Sequence, residues 1–395
     1  MLHSLCSIRR NRRRTALTGY RPLATLLALW VTTAAAAGVR HSEPSRCPPS
    51  VARQSQRTTC DRFTQPTCPE REIQAVKLNL DEHLLVDGAN DRDYAGGGDV
   101  VLSGAIAAHD GLDSALGWID RLTLRRAMLK SHPRHALSFG VMIFTPADLT
   151  WSTVQRGDRP YASLFFFSTG RRYLERDRPV AFESSLTFGM LGLAAAGSFQ
   201  SALHSMTASV QPRGWRNQIS AGGEPTLRYD LARDALIARR AGTGHVDYDV
   251  KWTSAVSVGT VTEASAALSV RFGRIASPWW GFDPGQDMYV EEVHPAPPPP
   301  PGVAGSEVFA LLGARVKVRL YNAFLQGQFR HSALRYSFNQ LNPLLTEAWA
   351  GLEYRTPSGL SIRYLIRWQS AELRTGIGSR SLLWGNVEIT DWLRN

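Results

Sequence analysis

Two polar side chains, Gln200 and His204, could form a chemical site because they are four residues apart in a short helical stretch. The stretch is residues 198–206, SFQSALHSM, in which we expect Ser198 to cap the first turn. A spacing of four places the amide and the imidazole on the same helix face. The alternative is a solvated helix that carries an incidental histidine.

A glycine-rich turn upstream is the second candidate. Residues 89–99, ANDRDYAGGGD, bring amide and carboxylate oxygens close together in sequence and lead into a predicted strand at residues 100–108. Such oxygens suit a hard cation such as calcium, although an Asx-rich hairpin turn has the same composition. The spacing lacks the EF-hand pattern, so a calcium-binding loop of that class is excluded.

The elements that must position these residues are β-strands. Apolar residues alternate with mainly basic or small polar ones along residues 265–272, 314–321 and 360–369, and TPSG at 356–359 predicts a tight turn. A strand with one apolar and one basic face is typical of a membrane barrel, whereas a soluble sandwich would show mixed charge outside. We therefore predict an all-β protein, a transmembrane antiparallel β-barrel. The proline-rich segment 294–302 must be a loop.

The chain divides into three predicted regions. Residues 1–38 have an arginine-rich start, an apolar run and an alanine-rich end, which indicates a signal peptide, with a membrane anchor as the alternative. Residues 39–72 form a predicted flexible linker, and residues 73–395 form the barrel. The linker contains Cys47, Cys60 and Cys68, which permit one disulfide after export without indicating which pair forms.

The charge of the exported chain is modest. The whole chain carries +11, and removing the six arginines of residues 1–38 leaves about +5. This excess gives no support for nucleic acid as a partner. It suits contact with an anionic surface such as phosphorylated lipid.

Several motifs in order resemble the outer-membrane lipid A deacylase family (LpxR type), along most of residues 80–390. They are Asn90-Asp91, Ser103-Gly104, Phe144-Thr145-Pro146, Gly157 to Ala162 (GDRPYA), Leu186 to Gly192 followed by Gln200 and His204, Trp215 with Gln218, Glu224-Pro225, Tyr321 to Gly327 and Glu372.

This resemblance implies a barrel of about 12 strands in the bacterial outer membrane, with a short active-site helix near the extracellular rim. It also implies hydrolysis of the ester-linked 3'-acyl chain of lipid A, the lipid part of lipopolysaccharide. His204 would be the general base that activates water, and Gln200 would orient the imidazole or the substrate. Asn90 and Asp91 would hold Ca2+.

The resemblance leaves the substrate contacts less defined. Ser103, Arg156 and Arg159 are candidates, although a D-R-P turn such as Asp158-Arg159-Pro160 more often forms a structural ion pair. Two positions depart from the family pattern, since Leu102 replaces a threonine and Val210 a glutamate found in some members. The alternatives are a phospholipase A-like acyl hydrolase, or a catalytically silent barrel that binds lipopolysaccharide or forms a narrow pore.

Overall fold

The structure is a computed structural model. It describes residues 70–393 except 84–85, 87–91, 129–130, 132, 176, 243–245, 287–292 and 298–305. The predicted signal peptide, nearly all of the predicted linker with its cysteines, and the predicted calcium ligands Asn90 and Asp91 lie outside the described residues.

Twelve antiparallel strands in the described part of the chain close into a barrel, because β1 pairs with both β2 and β12. Every other pairing joins strands that are consecutive in sequence. The strands are β1 (Ala75–Glu82), β2 (Asp93–Ser103), β3 (Arg134–Thr145), β4 (Ala162–Leu174), β5 (Val180–Leu191), β6 (Glu224–Arg240), β7 (Asp247–Gly259), β8 (Val261–Arg274), β9 (Glu307–Asn322), β10 (Leu344–Arg355), β11 (Leu360–Gln369) and β12 (Leu382–Trp392). The predicted fold class is confirmed.

The predicted alternation is confirmed on the barrel wall. On β9, Val316 and Val318 are about half exposed on the outside, while Arg315 and Lys317 between them are buried inside. On β11 the same pattern places Ile362 and Ile366 outside and Arg363 and Arg367 inside. Apolar side chains therefore face the lipid side of the wall and basic ones face the lumen.

The lumenal basic residues are paired with acids. Glu347 on β10 accepts hydrogen bonds from Arg315, Lys317 and Arg367 at 2.6, 2.9 and 3.0 Å. Arg363 donates to Glu388 at 2.5 Å. These pairs connect neighbouring strands across the inside of the wall, where an unpaired buried charge would be costly.

The connection between β8 and β9 folds into the lumen. We call its described parts, residues 275–286 and 293–297, the lumen segment. Its carbonyl groups accept from the barrel wall: Pro284 from Arg367 at 3.1 Å and Gln286 from Arg315 at 3.1 Å. The part of 294–302 that is described, 294–297, is irregular and buried, in agreement with the predicted loop. The lumen is thus filled by the chain itself in this region.

Three lumenal carboxylates, those of Glu183, Asp234 and Asp283, place oxygens within 4.8 Å of one another, and no other such group was found among the described residues. Two cations lie between them. Arg172 bonds Glu183 and Asp283, and Lys251 bonds Asp234 and Asp283. Because the cations already neutralise these oxygens, the group is an ion-pair cluster that anchors the lumen segment.

The connections between strands contain short helices. They are α1 (Gly111–Thr123), α2 (Arg125–Met128), α3 (Ala195–Thr207) and α4 (Ala323–Gln326), with short 3-10 helices at Ala105–Ala108, Trp215–Asn217, Trp279–Gly281 and Phe338–Gln340. We call the rim at which β5 ends and β6 begins the α3 rim, and the opposite one the far rim. No helix of the described residues is long and apolar enough to cross a membrane.

Two local predictions from the sequence are wrong. Helix α3 begins at Ala195, so Ser198 lies inside its first turn and does not cap it; the alanines at 194–196 are strong helix formers and extend the helix. The strand expected to continue to residue 108 ends at Ser103, and Ala105–Ala108 forms a 3-10 helix. Gly104, with φ of 141°, allows this change of direction.

Candidate active site

Helix α3 carries the predicted catalytic pair and starts at the α3 rim, three residues after β5. One face of the helix is buried, with Ala196, Gln200 and His204 at most 3% exposed. Phe199 and Leu203, on the other side, are 47% and 39% exposed. The spacing of four therefore places the amide and the imidazole on the same, buried face of the helix.

Gln200 has a defined partner. Its Oε1 accepts a hydrogen bond from Nε1 of Trp215 at 2.9 Å. The Trp215 ring packs on Tyr161, with centroids 4.9 Å apart, and lies so close to Gly197 that a Cβ there would be 2.7 Å from its Cγ. Burial raises the pKa of Tyr161 to about 12, which keeps its phenol neutral. Gln200 is therefore held by a packed aromatic pair.

His204 lies at the end of α3. Helix α3 ends at Thr207, so the residues that follow His204 form its C-terminal turn. Within this stretch the His204 carbonyl accepts from the Ser209 N–H at 2.9 Å, and Ala208 adopts a left-handed φ of 55°. This is the pattern of a Schellman helix end. It determines the backbone position from which the imidazole projects.

Arg159, a predicted substrate contact, lies inside an ion-pair group at the α3 rim. Its Nη1 donates to Glu372 at 2.5 Å, and its guanidinium carbon lies 4.5 Å from the Phe144 ring centroid. Arg319 and Asn322 also donate to Glu372. Burial raises the pKa of Glu372, but Arg159 and Arg319 outweigh it and hold that pKa below its usual value. Arg159 therefore binds a carboxylate of the protein itself.

Asp158 braces the same rim. Its two carboxylate oxygens accept from the N–H groups of Ala147 and Arg159, both at 2.8 Å. Arg380 lies 2.9 Å from Asp158 and makes a two-pronged contact with Asp93 at 2.8 and 2.9 Å. No local sequence pattern indicates this contact, because Arg380 and Asp93 are 287 residues apart. Asp158 and Arg159 thus form structural ion pairs with other residues, Asp158 with Arg380 and Arg159 with Glu372.

The remaining predicted substrate residues are far apart. Arg156 is exposed in the loop between β3 and β4, at the α3 rim. Ser103 lies at the far rim, and the length of β2, about 33 Å, separates it from the α3 rim. Its Oγ accepts a hydrogen bond from the Ala296 N–H at 3.0 Å. The structure thus does not bring Ser103 to the site of Gln200 and His204. An 11-residue strand places its two ends at opposite rims of the barrel.

Two described carboxylates that precede and follow Asn90 and Asp91 in the sequence, Asp81 and Asp93, have partners within the protein. Asp81 accepts from Tyr94 at 2.5 Å and from Asn386 at 2.8 Å, and Asp93 is held by Arg380. These carboxylates already have donors of the protein as partners.

Comparisons with known proteins agree with this architecture. The profile of the family "outer membrane protein LpxR" matches residues 44–390. LpxR from Salmonella typhimurium superposes with a TM-score of 0.61 at 14% identity, covering 81% of this chain and 100% of that one. No curated protein sequence matches the chain.

Two autotransporter barrels superpose less well. The β domain of the Bordetella autotransporter Brka has a TM-score of 0.38 at 9% identity, covering 82% of this chain and 99% of that one. The translocator domain of NalP from Neisseria meningitidis has a TM-score of 0.34 at 8% identity, covering 82% and 90%. The family match spans well over half of the chain, and the chain therefore belongs to the LpxR family of outer membrane proteins.

Proposed function

We propose that this protein is an outer-membrane lipid A deacylase, a hydrolase that removes an ester-linked acyl chain at the α3 rim. The observation that carries the proposal is the buried face of α3, on which Gln200 and His204 lie one turn apart in a chain of the LpxR family. The acyl chain that is removed is the one at the 3'-oxygen, as the family resemblance implies.

The proposed reaction is attack of water on the ester, with the imidazole as the group that transfers the proton. His204 would take a proton from water as the resulting hydroxide attacks the ester carbonyl carbon. The bond from that carbon to the sugar oxygen then breaks, and the imidazolium returns its proton to the departing oxygen. Gln200, held by Trp215, would orient the imidazole or the substrate. Calcium, if bound by Asn90 and Asp91, would polarise the carbonyl and stabilise the oxyanion.

The surface charge of the α3 rim supports an anionic lipid as substrate. Exposed arginines lie on four of its loops, and they are Arg156, Arg213, Arg216, Arg330, Arg335 and Arg374. Lipid phosphate groups are matched by guanidinium groups, which can bind two oxygens at once. Arg156 therefore stays a candidate phosphate contact, while the carboxylate partner of Arg159 makes it a brace.

Substitution of His204 tests the proposal most directly. His204→Asn keeps a polar side chain of moderate size, so we expect a barrel that reaches the outer membrane and shows the usual heat-modifiable mobility on gels. Its initial rate on purified lipid A should fall by about 10²–10⁴-fold, the contribution of a general base. Ser205→Ala, an exposed neighbour on the same helix, is the matched control.

Mass spectrometry of lipid A, from cells with and without the expressed protein, reads out both the loss and the position of the acyl chain. A wild-type rate in folded His204→Asn would disprove the mechanism. Fatty acid release from phospholipid vesicles, with lipid A unchanged, would favour the phospholipase A-like alternative. No hydrolysis of either lipid by the wild-type protein would favour the silent barrel.

Metal removal tests calcium separately. We expect excess chelator to abolish hydrolysis and added calcium to restore it, because hydroxide attack on an ester is accelerated when a cation polarises the carbonyl. Asp91→Ala should raise the calcium concentration that is needed, whereas Asp148→Ala, an exposed carboxylate of the β3–β4 loop, should not. Full activity in excess chelator would remove calcium from the mechanism without touching the role of His204.

A further inference from the structure

Helix α1 lies on the outside of the barrel wall. On β4, Arg172 points into the lumen, where it bonds Asp283 of the lumen segment, so its neighbours Arg171 and Tyr173 project outward. On β5, Glu183 points inward, so Ser184 projects outward. The outer wall near the far rim therefore carries polar side chains where a membrane barrel usually presents apolar ones.

The inner face of α1 covers these polar side chains. Asp113 accepts two hydrogen bonds from Arg171, from Nε at 2.7 Å and from Nη2 at 2.6 Å. Asp120 accepts from Tyr173 at 2.8 Å and from Ser184 at 2.9 Å. Near its end, Thr123 lies 3.1 Å from the Tyr229 hydroxyl on β6. The helix thus crosses the outer faces of β4, β5 and β6.

The outer face of α1 is apolar. Ala115, Trp118 and Leu122 recur at helical spacing, and Trp118 and Leu122 are 61% and 69% exposed. Ser114 and Arg121, also exposed, lie at one edge of this face. Exposed Trp and Leu next to a polar edge are typical of a helix that lies in the plane of a membrane interface.

The apolar face of α1 is continuous with the lipid-facing wall. Phe188 on β5 projects to the same side as Ser184 and is 46% exposed, and Leu227 on β6 projects with Tyr229 and is 51% exposed. The exposed apolar face of α1 therefore adjoins the apolar outer surface of β5 and β6, which contacts lipid.

From this arrangement we propose that α1 is a lipid-binding helix, whose outer face inserts among phospholipid acyl chains of the leaflet at the far rim. The helix covers a polar part of the barrel wall and presents an apolar surface to the lipid in its place. The occupant is lipid, because the face joins the lipid-facing band and its buried side is already committed to the barrel. The inference is independent of the proposed hydrolase activity.

Quenching of tryptophan emission by brominated acyl chains tests the inference. The mature full chain and Trp118→Phe are reconstituted in phosphatidylethanolamine and phosphatidylglycerol vesicles with and without brominated chains. The emission of Trp118 is the difference between the emission of the mature full chain and that of Trp118→Phe. We expect brominated chains to quench at least half of it, since bromine quenches only by contact and Trp118 would lie among the chains.

Two matched variants calibrate the result. Trp252→Phe reports an outward-facing residue of β7 that is 40% exposed, and should show similar quenching. Trp151→Phe reports a loop residue of the α3 rim that is 54% exposed, and should show little. Emission of Trp118 that is unquenched, like that of Trp151, would overturn the proposal. A dimer that Trp118→Glu converts to monomers, with no quenching in the wild type, would assign the face to a second copy instead.

Discussion

At the scale of single residues, the site depends on which polar groups already have partners. Gln200 is bonded to Trp215, Arg159 to Glu372 and Asp158 to Arg380, so these groups define the shape of the α3 rim. A buried charge with a bonded partner is costly to redirect toward a ligand. Exposed Arg156 has no such constraint among the contacts of the described residues. Residue type alone does not distinguish Arg156 from Arg159.

Because Trp215 and Gln200 are joined by a hydrogen bond, substitution of either residue should lower the rate of hydrolysis by a similar factor. Trp215→Phe keeps the ring packing on Tyr161 but removes the indole N–H, so the Gln200 amide loses its orientation. We expect Trp215→Phe and Gln200→Ala each to lower the initial rate on lipid A by about tenfold, corresponding to about 1.4 kcal/mol. Because both remove one contact, the double variant should be little slower than either single one.

The readout for this pair is a double-mutant cycle on initial rates, with heat-modifiable mobility as the check on folding. Phe199→Leu, on the exposed side of α3, is the control and should keep the wild-type rate. Rate losses that multiply in the double variant would show that Trp215 and Gln200 act separately.

At the scale of elements, α1 shows how a helix is specified within a strand-rich chain. Asp110 caps it, since its side chain accepts from the Asp113 N–H at 2.6 Å. Asp113, Leu116, Gly117 and Asp120 form its buried face at helical spacing. The sequence analysis did not predict this helix. The cap and the spacing were the available signals, but two buried aspartates disguise the inner face as a polar one.

The contact between Asp113 and Arg171 should contribute to barrel stability. Asp113→Ala leaves the Arg171 guanidinium on the outer wall without its two-pronged partner, and removing one member of a buried pair costs about 3–5 kcal/mol. Only 12% of the Arg171 side chain is exposed, so water can compensate only in part. We expect the midpoint of heat modification on gels to fall clearly. Arg171→Met in the same chain should restore much of it.

Ser114→Ala is the control for this experiment, because Ser114 is exposed and bonds only the Asp110 carbonyl, at 3.3 Å, within its own helix. It should leave the midpoint nearly unchanged. An unchanged midpoint in Asp113→Ala would mean that α1 adds nothing to the stability of the wall.

At the scale of the whole molecule, the lumen segment closes the barrel from within. Its contacts reach strands that lie far apart around the wall, namely β2 through Ser103, β4 through Arg172, β7 through Lys251, β9 through Arg315, β11 through Arg367 and β12 through Trp392. A twelve-strand barrel lies between small filled barrels and wide aqueous porins. The segment places this chain on the filled side, which argues against the narrow-pore alternative.

Conductance across planar lipid bilayers tests this closure. The wild-type protein should give no steady channel current, because chain and paired charges occupy the lumen. Replacing residues 276–305 with a short Gly-Ser turn removes the lumen segment and should produce one. The matched control is a Gly-Ser replacement of residues 356–359, the turn between β10 and β11. Steady current through the wild-type barrel would contradict the closure and revive the pore alternative.

The sequence by itself determined the strands of the barrel wall and the side to which their residues point. Alternation along residues 265–272, 314–321 and 360–369 is a property of neighbouring residues, so it predicted both the barrel and the direction of each side chain. The pairing of Gln200 with His204 on one face of a helix was local in the same way. The family motifs, read in order, led to the expected strand number and the proposed chemistry.

Only the tertiary structure decided what fills and covers that wall. The lumen segment, the position of α1 outside β4 to β6, and the links of Arg159 to Glu372 and of Arg380 to Asp93 join residues tens to hundreds of positions apart. No local pattern encodes such contacts, because they depend on how closing the barrel brings distant strands together. The length of β2 also carries Ser103 to the far rim, because an 11-residue strand places its two ends at opposite rims.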